Sequence, residues 1–286
     1  MILAEKRRSL LKNLIKNGLV KVIEAPNAMA ALIIEKMQVD NQSFDALWIS
    51  SLVDSSTKGH EDNEFLNINS RMQNIMDIVQ VSTKPIIYDG DTGSHLDHFV
   101  STINKLELLG VSAVVIEDKT GLKQNSFISD TSKHQIDSIE NFSNKIRAGK
   151  KAQVSEDFML IARLESLILG LGASDALKRA DAYIQAGADG ILIHSKSASF
   201  DEVKDFSQTF RKSHPTIPLV IVPTTYSSID DHDITSAGIN IVIFANQLTR
   251  AAHKAMVETA QSILKHNSAR MVESQISHVN ELINKK

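Results

Sequence analysis

Short apolar runs alternate with amphipathic stretches along the chain. The runs are rich in β-branched residues, and they occupy residues 19–25, 45–51, 85–89, 112–117, 158–164, 189–194, 218–222 and 239–245. Segments between them, such as 96–109 and 175–186, repeat apolar residues with helical spacing. Continuously apolar strands are typical of a parallel sheet that is covered on both faces. Eight strand–helix units therefore predict an α/β protein, a (β/α)8 barrel of the TIM type.

An open doubly wound sheet is the alternative, but it normally needs fewer strands, and no G-x-G-x-x-G follows the first run. No linker divides the chain, so we predict a single barrel domain over 1–286. We expect a helix over 1–17 that plugs the bottom of the domain and a barrel over about 18–250. Helices at about 246–284 exceed what the barrel requires. They are interpreted either as a cap or as a helix donated to a partner subunit.

Composition narrows the classes of function. Lys and Arg total 31 against 34 Asp and Glu, a net charge of −3, so no basic excess indicates nucleic acid or an anionic membrane as partner. The absence of cysteine excludes disulfides, cysteine-ligated zinc, iron–sulfur clusters and a thiol nucleophile. No apolar run approaches the roughly 18–20 residues of a membrane span, and the N-terminus lacks the core of a signal peptide. We expect a cytoplasmic protein.

Acidic residues follow two neighbouring predicted strands. In a barrel of this type, reactive groups lie at the carboxyl ends of the strands. Asp89 and Asp91 are two residues apart and would face the same way on an extended chain, while Gly90 leaves room for a ligand. Glu117 ends the next strand. Asp-Gly-Asp alone is common in turns, but with Glu117 beside it an all-oxygen Mg²⁺ site is favoured.

Basic and neutral polar residues follow other strands. Arg163 presents a planar fork that suits phosphate or carboxylate, although an ion pair with Glu165 is an almost equal alternative. His194 alone is more often a hydrogen-bonded core histidine than a catalyst. For Trp48 and the serines at positions 50 and 51, ordinary packing and helix capping are the better interpretation by themselves.

Two loops carry further candidates. The segment 118–135 is long for a barrel loop and contains Lys123 and Asn125, so it is interpreted as a lid over an anionic substrate or as a surface excursion. The helix after it is expected to start with a capping box at Asp137. Asp62 lies in a second loop after residue 57, and spacing alone favours a solvated surface carboxylate there.

The most specific motif is Glu117-Asp118-Lys119, five residues, then Asn125-Ser126. By this E-D-K-x5-N-S pattern the chain resembles the phosphoenolpyruvate mutase family of the isocitrate lyase superfamily, from about Glu24 to about Ala252. Further matching motifs stand in the same order at 48–52, 89–93, 161–165, 193–196, 221–224 and 245–246.

The resemblance implies interconversion of phosphoenolpyruvate and phosphonopyruvate by Mg²⁺-dependent phosphoryl transfer from oxygen to carbon, which begins phosphonate biosynthesis. It also implies a homodimer or homotetramer that swaps its last helix. The implied metal residues are Asp89, Asp91 and Glu117. The implied substrate-binding residues are Trp48, Ser50, Ser51, Leu52 and Ser126. The implied catalytic residues are Asp62, Lys123, Asn125, Arg163 and His194. For Asp62, orienting the phosphoryl group is favoured over transiently accepting it.

Three other functions compete with the mutase reaction. Phosphonopyruvate hydrolase shares almost every one of these residues but carries Thr in place of Asn125. The carbon–carbon lyases use a cysteine loop where this chain reads Asp118-Lys119-Thr120-Gly121. A barrel that binds without turnover would leave buried charges unused, which is costly. Two departures from the family pattern, at 94–96 and 129–134, affect the expected closure of the lid.

Overall fold

Eight parallel strands form a closed barrel in the computed structural model, which describes residues 2–121, 123, 125, 126 and 134–283. Around the barrel the strand order is β1-β10-β9-β8-β7-β4-β3-β2, and β5 with β6 forms a separate two-stranded sheet. The strands are β1 (Val20–Glu24), β2 (Ala46–Ile49), β3 (Ile86–Asp89), β4 (Ala113–Glu117), β5 (Lys119–Thr120), β6 (Gln135–Ile136), β7 (Met159–Leu164), β8 (Gly190–Ile193), β9 (Leu219–Ile221) and β10 (Ile241–Phe244). The predicted (β/α)8 barrel is confirmed.

In the compact unit Met1–Ala245, one or two helices lie between each barrel strand and the next, and α1 precedes β1. They are α1 (Ala4–Asn17), α2 (Ala28–Lys36), α3 (Ser51–Thr57), α4 (Ile68–Val79), α5 (Leu96–Leu108), α6 (Ile139–Ala152), α7 (Gly172–Gln185), α8 (Asp201–Ser213) and α9 (Asp231–Ser236). None of the helices in the described residues is long and apolar enough to cross a membrane.

A second compact unit, Asn246–Lys286, contains α10 (Gln247–His266) and α11 (Val279–Ile283). Neither helix has a buried residue, and α10 exposes apolar side chains such as Met256 and Leu264. The predicted single domain and the predicted exchange of the last helix between subunits stay predictions.

The first helix closes the amino-terminal end of the barrel. Arg7 donates to the backbone oxygens of Ser82 and Lys84, just before β3, and its own carbonyl oxygen accepts from Ser112, just before β4. Leu11 is fully buried among the side chains that fill the barrel interior. Leu11→Ala would therefore leave a cavity that costs roughly 2–5 kcal/mol. Solvent and substrate must enter from the opposite end, where the strands finish.

The long segment after β4 begins and ends in one small antiparallel sheet. Lys119 pairs with Ile136, and Thr120 pairs with Gln135, so the two ends of the predicted lid are joined. Residues 122, 124 and 127–133 lie outside the described residues. Most of the departure from the family pattern at 129–134 falls on them and so also lies outside the described residues. The expected capping box at Asp137 is wrong by one residue. The N-cap of α6 is Ser138, whose side chain accepts from the backbone N–H of Asn141, the third helical residue.

Candidate active site

Strand alternation decides which side chains enter the mouth of the barrel. The interior cluster includes Ile87, Val115, Ile161 and Leu192, one from each of four neighbouring strands. Residues two positions further along a strand point the same way. These residues carry the charge and hydrogen-bonding groups of the mouth, and they are Asp89, Glu117, Arg163 and His194. The apolar interior therefore ends in a layer of ionisable groups, as the sequence predicts.

The turn after β3 orients the two aspartates differently from the expectation. Asp91 has a left-handed φ of 55° beyond the end of the strand, so the assumption of an extended chain is wrong. Asp89 Oδ2 accepts from the N–H of Ser51 at 3.2 Å and from its hydroxyl at 3.0 Å. A side chain at Gly90 would stand 2.9 Å from the carbonyl oxygen of Val115, so this turn requires glycine.

The Lys123 ammonium group joins three of the site's loops. It donates to Asp62 Oδ1 at 2.5 Å, and it also contacts Asp91 Oδ1 and the Ser51 hydroxyl. Burial alone would lower the pKa of Lys123. Surrounding carboxylates outweigh burial and raise this pKa above its ordinary value, and they are Asp91, Asp89, Asp62 and Glu117. Lys123 therefore stays charged, and it neutralises part of the acidic mouth.

Asp62 is buried in the site instead of solvated on the surface. Its side chain is 8% exposed, and its second oxygen accepts from the Asn125 amide at 2.6 Å. The interpretation from spacing alone is therefore wrong, because the 58–67 loop folds back over the mouth of the barrel. Lys123 and Asn125, two residues apart in the predicted lid, hold the two oxygens of one carboxylate.

On the far side of the mouth, two glutamates share two cations. The Arg163 guanidinium lies 2.7 Å from Glu165 and 3.4 Å from Glu117, while Lys119 Nζ lies 3.5 Å and 3.2 Å from the same two carboxylates. Burial raises the pKa of Glu117 to about 7. Burial would also raise the pKa of Glu165, but the charge of Arg163 holds it well below its usual value. The predicted ion pair between Arg163 and Glu165 is therefore present, and an anion-binding role for Arg163 stays a prediction.

His194 is a neutral imidazole in this arrangement. Burial, and next the charge of Arg163, lower its pKa. Its Nδ1 lies 2.8 Å from Arg163 Nη2, and a guanidinium can only donate. Nδ1 accepts in that contact, which favours the proton on Nε2, and Glu165 Oε1 lies 3.5 Å from the same Nδ1.

The Ser126 hydroxyl is held entirely by charged groups of the protein. It donates to Glu165 Oε2 at 2.7 Å and accepts from Arg163 at 2.9 Å and from Lys119 at 3.1 Å. This one residue fastens the predicted lid to the far side of the mouth. Its implied contact with substrate stays a prediction.

The end of β2 and the segment after it supply neutral groups. Trp48 is buried within the barrel interior, and Leu52 is half-buried. The Ser50 side chain caps α3 by accepting from the N–H of Val53 at 3.4 Å, whereas Ser51 faces Asp89 and Lys123. Packing and capping thus account for Trp48 and Ser50, and Ser51 belongs to the charged cluster.

The acidic residues of the mouth fit a divalent cation with water among its ligands. Glu117 Oε1 is buried and, among the described residues, has no hydrogen-bond partner, although Lys119 lies 3.2 Å away. Within the described part of the chain, one group of three possible metal ligands has its ligand atoms all within 4.8 Å of one another. This group is exposed and contains none of the residues of the mouth, and it consists of Asp230, His232 and Asp233. The mouth therefore fits an ion that one or two carboxylates touch directly, as Mg²⁺ with several waters prefers.

Several residues of this network are absent from the sequence-based site. Lys119 and Glu165 form central ion pairs on the far side of the mouth, and the sequence predicts for Glu165 only a pairing with Arg163. Buried Arg71 lies 2.8 Å from Asp54 and 3.3 Å from Asp91. Glu24 is fully buried at the end of β1, two positions after Val22, which faces the barrel interior. Two features of the sequence could have identified these last residues. Arg71 lies on the apolar face of α4, and Glu24 ends a strand.

Fold and site together define a (β/α)8-barrel enzyme whose mouth gathers acidic and basic side chains at the carboxyl ends of the strands. A family model described as phosphoenolpyruvate phosphomutase matches residues 11–264, and the chain belongs to that family. The resemblance inferred from the motifs is thereby confirmed.

Named relatives cover nearly the whole chain. A phosphoenolpyruvate phosphomutase of Tetrahymena pyriformis is 34% identical over 280 residues, covering 97% of this chain and 90% of the relative. The crystal structure of a phosphoenolpyruvate phosphomutase from Streptomyces platensis subsp. rosaceus has a TM-score of 0.90 at 34% identity, covering 97% and 94% of the two chains. A phosphonopyruvate hydrolase in complex with oxalate and Mg²⁺ has a TM-score of 0.86 at 33% identity, covering 98% and 94%. Relatives named for two different reactions are thus similar to this chain at almost the same sequence identity.

Proposed function

We propose that this enzyme interconverts phosphoenolpyruvate and phosphonopyruvate with Mg²⁺ as cofactor, the first step of phosphonate biosynthesis. The engagement of Asp62 carries the proposal. One oxygen of this carboxylate is taken by Lys123 at 2.5 Å and the other by Asn125 at 2.6 Å. A carboxylate held in this way is poorly placed to take a proton from water, which hydrolysis would require. It is well placed to keep neighbouring groups oriented.

The reaction needs no atom from solvent. The bond between phosphorus and the enol oxygen breaks, and its electron pair stays on that oxygen as a pyruvate enolate. The methylene carbon of the enolate then attacks phosphorus, and the carbonyl group is restored. Because the phosphoryl group is metaphosphate-like between the two bonds, catalysis consists of positioning and charge stabilisation.

The side chains of the mouth match those tasks. Arg163, Lys123 and neutral His194 donate hydrogen bonds to the phosphoryl oxygens, and Asn125 holds the migrating group without offering a nucleophile. Ser51, Leu52 and Ser126 are proposed to contact the substrate directly, whereas Trp48 and Ser50, which the resemblance also assigns to the substrate, shape the site through packing and helix capping. Asp89, with support from Asp91 and Glu117, would hold Mg²⁺, which would supply positive charge to stabilise the enolate. Water must be excluded, since otherwise phosphate is released.

Phosphonopyruvate hydrolysis to pyruvate and phosphate is the second candidate, because a hydrolase is as similar to this chain as the mutases are. Asn125, which bonds Asp62 directly, stands where the hydrolases are expected to carry Thr. The presence of Asn125 at this position therefore supports the mutase proposal.

The test starts from phosphonopyruvate, because formation of the carbon–phosphorus bond is uphill. The enzyme is incubated with phosphonopyruvate and Mg²⁺ and followed by ³¹P NMR, with an EDTA-treated sample as control. We expect conversion of the phosphonate signal to that of phosphoenolpyruvate, and none with EDTA. Free phosphate as sole product would assign the hydrolase, and no change of substrate would support binding without turnover.

We also propose a cytoplasmic homodimer or homotetramer. Support comes from the unit Asn246–Lys286, where α10 exposes apolar side chains such as Met256 and Leu264. Light scattering coupled to size exclusion should give a mass of two or four chains of 31.5 kDa. A mass of one chain would refute the assembly.

A further inference from the structure

The 58–67 loop connects α3 to α4 and carries Asp62 to the mouth of the barrel. Little packing holds this loop in place, because a cavity of about 840 Å³ lies against it and reaches Asp62, Glu64 and Phe65. Phe65, the largest apolar side chain of the loop, is 73% exposed. The position of Asp62 must therefore depend on a few polar contacts.

Glu64 connects the loop to the turn that follows β3. Its Oε1 accepts two hydrogen bonds from Thr92, one from the N–H at 3.0 Å and one from the hydroxyl at 2.8 Å. The residue itself lies at the exposed surface of the loop, but Thr92 is buried directly after Asp91. Thr92 is in turn fixed by Lys145, which donates to its carbonyl oxygen at 2.7 Å. The partner of Glu64 is thus a rigid part of the barrel.

The backbone of Glu64 supports the same conclusion. Its φ is 61°, in the left-handed region that side chains larger than glycine rarely adopt. Such a conformation persists where surrounding contacts enforce it. In the loop with this conformation, Asp62 binds Lys123 and Asn125, and Glu64 binds the turn after β3.

We propose that Glu64 is a positioning residue, which clamps the 58–67 loop to Thr92 and thereby holds Asp62 against Lys123 and Asn125. The expected effect of Glu64 on turnover rests on the proposed function, whereas its role in holding the loop does not. The two side-chain hydrogen bonds that Glu64 accepts come from Thr92, which is not among the residues assigned to the substrate. Glu64 acts by joining the loop that bears Asp62 to the turn that bears Asp89 and Asp91, so that these carboxylates keep one relative arrangement.

Two substitutions at the same position test the clamp. Both Thr92 donors bond a single oxygen, so Glu64→Gln keeps the acceptor through its amide carbonyl, whereas Glu64→Ala removes it. Glu61→Ala, three residues earlier on the same exposed loop, is the matched control. A misplacement of about 1 Å can cost roughly 100-fold in rate. We expect kcat of Glu64→Ala to fall about 10- to 100-fold with a much smaller change in KM, and Glu64→Gln and Glu61→Ala to resemble the parent.

A second measurement does not depend on activity. Trypsin can cleave after exposed Lys58, at the start of the loop, and the fragment that begins at Gly59 can be quantified by mass spectrometry. Loss of two ordinary hydrogen bonds should raise this cleavage rate roughly 5- to 100-fold in Glu64→Ala alone. Parent-like cleavage of Glu64→Ala, or an equal rise in Glu64→Gln, would overturn the clamp. If the parent converts no substrate, the proposed function fails, and cleavage still decides whether Glu64 holds the loop.

Discussion

The Ser126 hydroxyl allows a stability prediction worked directly from its contacts. Ser126→Ala removes one hydrogen bond to a buried carboxylate and two from buried cations, at 2.7, 2.9 and 3.1 Å. Hydrogen bonds to charged groups contribute about 1.5–3 kcal/mol each. The losses are not additive, because Arg163 keeps its own contact with Glu165 at 2.7 Å. We expect a net destabilisation of about 2–4 kcal/mol.

Differential scanning calorimetry converts this free energy into a temperature. With about 2.1 cal/mol/K per residue, unfolding of 286 residues has an entropy of about 0.6 kcal/mol/K. A loss of about 3 kcal/mol then lowers Tm by about 5 °C. Ser101→Ala is the control, because Ser101 is an exposed serine of α5 and its replacement should change stability by no more than about 0.5 kcal/mol.

Equal melting temperatures for the Ser126 and Ser101 variants would refute this reasoning. They would mean that the ion-pair network among Lys119, Arg163 and Glu165 closes without the hydroxyl. Ser126 would then contribute to substrate contact alone, as the resemblance implies, and would not fasten the lid segment.

Three further predictions concern the rest of the site. Asp89→Ala should abolish Mg²⁺-dependent turnover in the ³¹P NMR assay, and unchanged activity would remove Asp89 from the site. Asn125→Ala should lower the mutase rate roughly 10- to 100-fold because the group it holds loses its orientation, with far less effect on the Mg²⁺ concentration required. Equal losses of rate and metal affinity would make Asn125 structural. Burial and Arg163 lower the pKa of His194 below 6.5, so its contribution to stability is present above pH 6.5 and is lost as pH falls through the lowered value. Urea unfolding at pH 7 and pH 5 should show a smaller pH effect in His194→Gln than in the parent, and equal effects would contradict the assignment.

The barrel could be predicted because its signal lies within each strand. A parallel strand covered on both faces is a short apolar run, and the barrel strands found fall inside the eight predicted runs. The side chains at the strand ends were also predictable, since alternation continues from the interior to Glu117, Arg163 and His194.

The partners of those side chains could not be predicted, because they come from distant parts of the chain. Arg71 meets Asp91 across 20 residues, and Lys123 meets Asp62 across 61. Nothing in local spacing distinguishes such a carboxylate from a solvated one. The predicted direction of the Asp91 side chain is wrong for a different reason. The left-handed backbone at Asp91 breaks the strand alternation on which that prediction depended.

The pairing of β5 with β6 has a consequence for how this family can diversify. Because Lys119 pairs with Ile136, the two ends of this segment lie side by side, whatever the number of residues between them. Residues can be inserted or deleted within such a segment at a small entropic cost, and no barrel strand has to shift. Changes of chemistry can therefore accumulate in this one stretch while the scaffold beneath it stays constant.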